Sequence, residues 1–201
     1  MPTMKNWESY FPADKHGLQH FEEYETRAKK VSAEVTRVAT GQDAVASILS
    51  TLQAIDAKIV VCTPEAIMES INLVSALKEA GMTVYTQPQD IAKYAKDADA
   101  GITEMEFAVA ETGSCVENSD LVEKRLCSTL ANLHIGLLKS QNVIATIPDA
   151  FTVFSKIFDR GYLSFITGPS RTADIERVLT IGVHGPARMM PLFIDNVGGA
   201  Q

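Results

Sequence analysis

The chain is poor in cysteine, and none of its three cysteines sits at ligand spacing from another. Cys62, Cys115 and Cys127 are odd in number and far apart, and no C-x-x-C occurs. Neither an iron–sulfur cluster nor a zinc ribbon can be built from this chain alone. Long apolar runs are missing too, so no segment reads as a bilayer span. Met1 to Tyr10 has no basic stretch followed by an apolar one, which argues against a secretory signal. Cations are outnumbered, 18 Lys and Arg against 25 Asp and Glu, for a net charge of −7. Nucleic-acid binding needs clustered cations that displace counterions from phosphates, and that role is disfavoured. Together these absences predict a soluble protein of the reducing cytoplasm, with Cys62 a small buried thiol behind Ile59-Val60-Val61.

What is present is an ordinary globular composition. With 46% hydrophobic and 21% charged residues in 201 positions, the chain can bury one good core. Leu18, Phe21, Tyr24 and Ala28, then Val31, Val35 and Val38, recur at three- and four-residue spacings. That spacing predicts helix from Gly17 to Leu52, broken at Thr40–Asp43, with the residues up to Pro12 loosely held. From Ala57 the pattern changes to strand (Lys58–Cys62), helix (Thr63–Ala80, with Thr63 as N-cap), strand (Met82–Thr86) and helix (Pro88–Ala95). This alternation is the mark of a parallel sheet with right-handed crossovers. Further strands are predicted around Ile102, Phe107–Ala110, Cys115–Val116, His134–Leu138 and Leu163–Ile166, with helices at Leu121–Ala131 and Pro148–Phe158. Ile175, Val178, Leu179, Gly182 and Val183 fall on one helical stripe, so a closing strand–helix–strand unit is expected to end at Met190–Ile194.

Between Asp97 and Asp120 there are seven acidic residues and no basic one. Such a run is read first as a solvated face. The sharper alternative is that some of these carboxylates line a pocket.

Three turns carry candidate chemistry. Thr167-Gly168-Pro169-Ser170-Arg171-Thr172 joins a predicted strand end to a predicted helix start, the edge of an open α/β sheet where ligands bind. Unpaired first-turn amides favour an anion there, Gly168 admits a close approach, and Ser170, Arg171 and Thr172 offer donors. Arg171 can grip a carboxylate or phosphate with two parallel bonds. The plainer alternative is that Ser170 or Thr172 only caps the helix and Arg171 only pairs with a neighbouring acid. The loop is neither a Walker loop nor a G-x-G-x-x-G fingerprint, so it implies no nucleotide. His184, between Gly182-Val183 and Gly185-Pro186, is either a proton-transfer residue or a polar loop residue. His134, at the start of an apolar strand, reads as a core histidine. Glu111-Thr112-Gly113-Ser114 sets a carboxylate and two hydroxyls on a turn, where a desolvated Glu111 could act as base or nucleophile. No metal-ligand pattern stands out. Spacing alone supports a small-anion site and no particular reaction.

Taken together, Gly101-Ile102-Thr103, Phe107-Ala108-Val109-Ala110-Glu111-Thr112-Gly113-Ser114, Thr167–Glu176 and Gly182-Val183-His184-Gly185-Pro186 resemble the LUD (lactate utilisation) family. The likeness is strong over the second half of the chain and extends in layout from Ala57 onward. It implies a NagB/RpiA/CoA-transferase-like α/β fold with a mostly parallel sheet flanked by helices. On this view residues 1–53 form a helical N-terminal extension and 54–201 the α/β domain of one globular unit. It implies a subunit of a system that oxidises L-lactate to pyruvate, in the short form without the cysteine-rich ferredoxin-like part of larger members. Iron–sulfur clusters are then expected on partner subunits and none in this chain. The expected site has Glu111 and His184 as catalytic groups, with Thr112, Gly113, Gly168, Ser170, Arg171 and Thr172 holding a small carboxylate. Two other readings stay open: a stand-alone NagB/RpiA-like enzyme acting on a sugar phosphate or CoA ester, and a non-catalytic metabolite-binding protein.

Overall fold

The computed structural model describes residues 6–157, 161–172, 180–182 and 184–198. Its centre is a six-stranded sheet built from β1 (Thr36–Thr40), β2 (Ile59–Cys62), β3 (Thr83–Tyr85), β4 (Ala100–Glu104), β7 (Leu133–Lys139) and β12 (Arg188–Asn196), in the order β1-β12-β7-β4-β2-β3. Every pairing in it is parallel. The alternation of short β-branched runs with helices demands this, because parallel neighbours need a crossover and the crossover covers a face. The interior strands are accordingly apolar on both sides, and six of the seven residues of β7 are buried.

One face carries α2 (Gly41–Ala54), α3 (Ala66–Ser70) and α4 (Leu73–Glu79), whose Ile48, Leu52, Met68, Leu73 and Leu77 pack on Val60, Ile102, Ile135 and Leu192. The opposite face is shared. Over β2 and β4 lie α5 (Pro88–Tyr94) and α6 (Val122–Leu130), where Ile91 and Cys127 meet Val61. Gly101 lets α6 approach, since a Cβ there would lie 1.9 Å from the Cys127 carbonyl oxygen. Over β7 and β12 lie α1 (Phe21–Lys30) and a second sheet, with Tyr24, Ala108, Cys115, Leu138 and Phe193 between them.

That second sheet has the order β8-β5-β6-β9, from β5 (Phe107–Val109), β6 (Ser114–Asn118), β8 (Val143–Ile144) and β9 (Leu163–Ile166). Its far face is closed by α7 (Ile147–Ile157) and by Trp7, which packs near Phe107 and Phe154. Trp7 is buried, so at that position the expected loose terminus is wrong.

The α/β expectation holds, and several of its elements need correction. The helix predicted over Gly17–Leu52 is interrupted by β1, the edge strand against β12. Val31, Val35 and Val38 mimic a helical stripe, but at a sheet edge only one face meets the core, and Val38 is half-buried there. The second helix starts at Gly41, because Thr40 and Asp43 cap each other's backbone amides reciprocally. The helix predicted to run from Thr63 to Ala80 is two helices, broken where Asn72 turns left-handed (φ 51°). Thr63 therefore caps nothing, and Glu65 precedes α3.

The expected closing strand–helix–strand unit does not form in one sheet. β9 joins the second sheet, antiparallel to β6, whereas β12 lies in the first. Arg171–Thr172 is a short strand, β10, paired antiparallel with β11 (Thr180–Ile181), rather than the cap and first turn of a helix. The helical stripe predicted through Ile175, Val178 and Leu179 lies outside the described residues.

Candidate functional site

The glycine-bearing turns do come together, around the C-terminal end of α1. Gly113 (φ 67°) sits so close to α1 that a Cβ would fall 2.4 Å from the Ala28 nitrogen, and Gly168 (φ 75°) lies equally tight against the Val31 carbonyl, at 2.5 Å. Both glycines thus serve helix packing, which uses up the close approach that sequence assigns to a ligand. The Ser114 and Thr167 hydroxyls are 2.6 Å apart and join the first two turns. The third is tied in by the backbone: Ser170 N donates to the Pro186 carbonyl at 2.8 Å, and Gly182 N donates to the Ser170 carbonyl at 2.9 Å.

The individual residues differ in what they are free to do. Arg171 is exposed, and its Nη2 donates to the Ser32 hydroxyl at 2.6 Å. With β10 in place of a helix start, no first-turn amides back it at positions 171 and 172. His184 is exposed on the returning turn. Glu111 is exposed, and one carboxylate oxygen accepts from the Ile147 amide at 2.9 Å, the first residue of α7. That is a helix-capping position, with a charge complementing the helix dipole. The Thr112 hydroxyl is shielded from solvent and has no partner among the described residues. Thr172 lies in β10, and its side chain is outside the described set.

These turns lie at the wrong end of the sheet for the expected geometry. Pro186 leads into Arg188, the first residue of β12, and Arg188 pairs with Glu34 through two bonds of 2.7 and 2.6 Å. The gathering is therefore at the amino ends of the central strands. In an open parallel sheet, ligands favour the carboxyl ends at the point where crossovers diverge to opposite faces. Here that point falls between β2 and β4, since β2 leads to the outer strand β3 and β4 leads the other way to β7.

At that divergence the structure buries a cluster of charge. Lys124, from α6, is 3% exposed, and its Nζ lies 2.9 Å and 3.1 Å from the two carboxylate oxygens of Glu65 and 3.5 Å from Glu106. Glu104, ending β4, accepts from the Met68 amide at 2.7 Å, and burial pushes its carboxyl up to about 7. Glu117, fully buried on β6, accepts from Thr103 (2.9 Å), Ser119 (2.7 Å) and Ser128 (3.0 Å), and burial raises its pKa as well. Thr103 gives its one proton to Glu117, so it accepts from His134 Nε2 at 2.9 Å. Burial holds His134 neutral, with its pKa lowered to about 3. His134 is thus the core histidine that its strand position predicts.

Of the acidic run, Glu104, Glu106 and Glu117 turn inward, so the solvated-face reading fails for these three. Sequence reasoning missed Lys124 and Glu65 altogether. Lys124 stands in the helix that follows the run, and a cation there was the available signal. All three cysteines are buried and free, and desolvation pushes Cys62 and Cys115 up to about 12, which holds them as thiols. Among the described residues no group of three or more His, Cys, Asp or Glu is arranged to hold a metal ion, and no helix is long and apolar enough to cross a membrane.

Fold and clusters together define an open α/β protein with a parallel central sheet, polar groups at both strand ends, and a small second sheet clasped to one face. The chain belongs to the LUD domain family, whose model matches residues 21–194. Relatives include lactate utilization protein C 1 of Bacillus mycoides, 32% identical over 109 residues (52% of this chain, 47% of the relative). Lactate utilization protein C of Geobacillus sp. is 34% identical over 108 residues (51% and 45%). The matches span about half the length of these curated relatives. The fold is shared with the crystal structure of a DUF162 family protein from Deinococcus radiodurans, at a TM-score of 0.57 and 17% identity, covering 88% of this chain and 96% of that one.

Proposed function

We propose that this chain is a lactate-utilisation protein, the subunit without iron–sulfur clusters in a system that oxidises L-lactate to pyruvate. The observation that carries this reading is the family match across residues 21–194, joined to relatives named for lactate utilisation. The site offered to the carboxylate is the seam where Ser170 is bonded on both sides to the returning chain, with the exposed Arg171 guanidinium at its rim. Arg171 grips the carboxylate. The unpartnered Thr112 hydroxyl supplies a donor, and His184 takes the hydroxyl proton. Glu111 already accepts from Ile147 and fixes its turn. Oxidation of lactate to pyruvate releases two electrons and two protons: the hydroxyl proton goes to His184, the Cα proton to solvent, and iron–sulfur clusters held by partner subunits would accept the two electrons. The three cysteines of this chain are buried and lack C-x-x-C spacing.

The test is growth on L-lactate after deletion of the gene, with complementation by wild type and by Arg171→Ala. Loss of growth, restored by wild type alone, is expected, together with co-purification of iron–sulfur proteins. Undiminished growth of the deletion strain overturns the reading. Thermal stabilisation by sugar phosphates or acyl-CoAs, and none by lactate, would replace it with an enzyme acting by itself.

A further inference from the structure

We propose that the carboxyl ends of β2 and β4 form a second ligand site, where the Lys124 ammonium recognises a small monocarboxylate that takes the place of Glu65. An ammonium 3% exposed survives only because anions compensate its lost hydration. Its two compensating carboxylates are unequal. Glu106 is the more shielded, 16% exposed, and follows β4 directly into the second sheet. Glu65 is 28% exposed, precedes the five-residue helix α3 and makes no capping bond with its side chain. Among the described residues, Lys124 alone holds the Glu65 carboxylate. Glu65 is thus the partner that can leave, and a ligand carboxylate entering in its place conserves the charge of the cluster.

A second feature points the same way. The Thr63 hydroxyl is buried, with the residue 8% exposed, and has no hydrogen-bond partner among the described residues. Such an orphan is costly unless a ligand or water completes it. Thr63 directly follows β2, two residues beyond Val61, which packs with Cys127 of α6, and Lys124 stands one helical turn before Cys127. A carboxylate on Lys124 would offer its second oxygen to that hydroxyl. Glu104, pushed up to about 7, is neutral often enough near pH 7 to weaken repulsion of an incoming anion. A phosphate dianion would add charge beside Glu106 and is disfavoured. The site is separate from the Arg171 seam and independent of the lactate reading.

The test follows the Lys124 Nζ resonance in lysine-labelled protein during titration with sodium acetate and with L-lactate. Chloride holds the ionic strength constant, and inorganic phosphate runs as a comparison. A saturable shift is expected in wild type. Glu65→Ala, which removes the internal competitor, should bind about tenfold more tightly, because a ligand no longer waits for the minor state in which Glu65 has left. Arg171→Ala should titrate as wild type. If Glu65→Ala does not fold, Glu65→Gln keeps the side-chain volume without the charge and should also tighten binding. No saturable shift in wild type, equal affinity with Glu65 neutralised, or loss of the shift in Arg171→Ala overturns the proposal.

Discussion

The turns around Arg171 and the charges around Lys124 occupy opposite ends of the central strands and follow opposite physical rules. The first group is exposed, held by backbone hydrogen bonds and glycine contacts, and its guanidinium costs little to keep in water. The second is buried, held mainly by bonds between side chains, and each of its charges depends on the others. One region is free to change at small cost. The other is a coupled unit in which the loss of a member strands its partners.

The largest effect that tests this contrast is Lys124→Met. It leaves Glu106 buried without its cation and should cost about 3–5 kcal/mol in urea unfolding. A loss under about 1 kcal/mol would mean that the carboxylates simply take up protons, and the cluster would not be coupled as described.

A smaller effect separates the members by pH. Glu104 binds its proton more tightly folded (about 7) than its ordinary value of 4.5 allows, so its contribution is full below pH 4.5 and lost as pH rises through 7. His134 runs the other way: its folded value of about 3 against an ordinary 6.5 gives stability that is present above pH 6.5 and lost as pH falls toward 3. Glu104→Gln keeps an acceptor for the Met68 amide and removes the first loss. Its stability relative to wild type should rise by on the order of 2 kcal/mol between pH 5 and pH 8. Unfolding midpoints that track wild type across that range would remove Glu104 as the source. The smallest effect belongs to the other region. Arg171→Ala should change stability by less than about 0.5 kcal/mol while failing to restore growth of the deletion strain on L-lactate. A large loss of stability would make Arg171 a structural residue.

Much of the fold was legible. The run Ile59–Cys62, the Pro88 helix start, the Glu111–Ser114 turn and the burial of His134 all follow from local chemistry, and the structure bears each out. The errors share a cause. Val31, Val35 and Val38 have helical spacing, and only the approach of β12 makes residues 36–40 a strand. Gly168 and Gly113 read as ligand glycines, yet the chain of α1, more than 50 residues away in sequence, fills the space beside them. The site at the strand ends was half visible as an acidic run. Which carboxylates turn inward could not be read, because burial depends on Lys124 and the second sheet closing over them.

By itself the sequence determined the alternation of strands and helices, the parallel sheet that alternation requires, and the turns where glycine and proline leave no other choice. Those are consequences of backbone sterics and of apolar periodicity, which act over a few residues. Tertiary structure alone decided which end of the sheet each turn occupies and which charges lose their water. The reason is that desolvation is a property of everything that surrounds a group, and the partners that compensate Glu104, Glu106 and Glu117 come from α3, α6 and β4, brought together only when the sheet is complete.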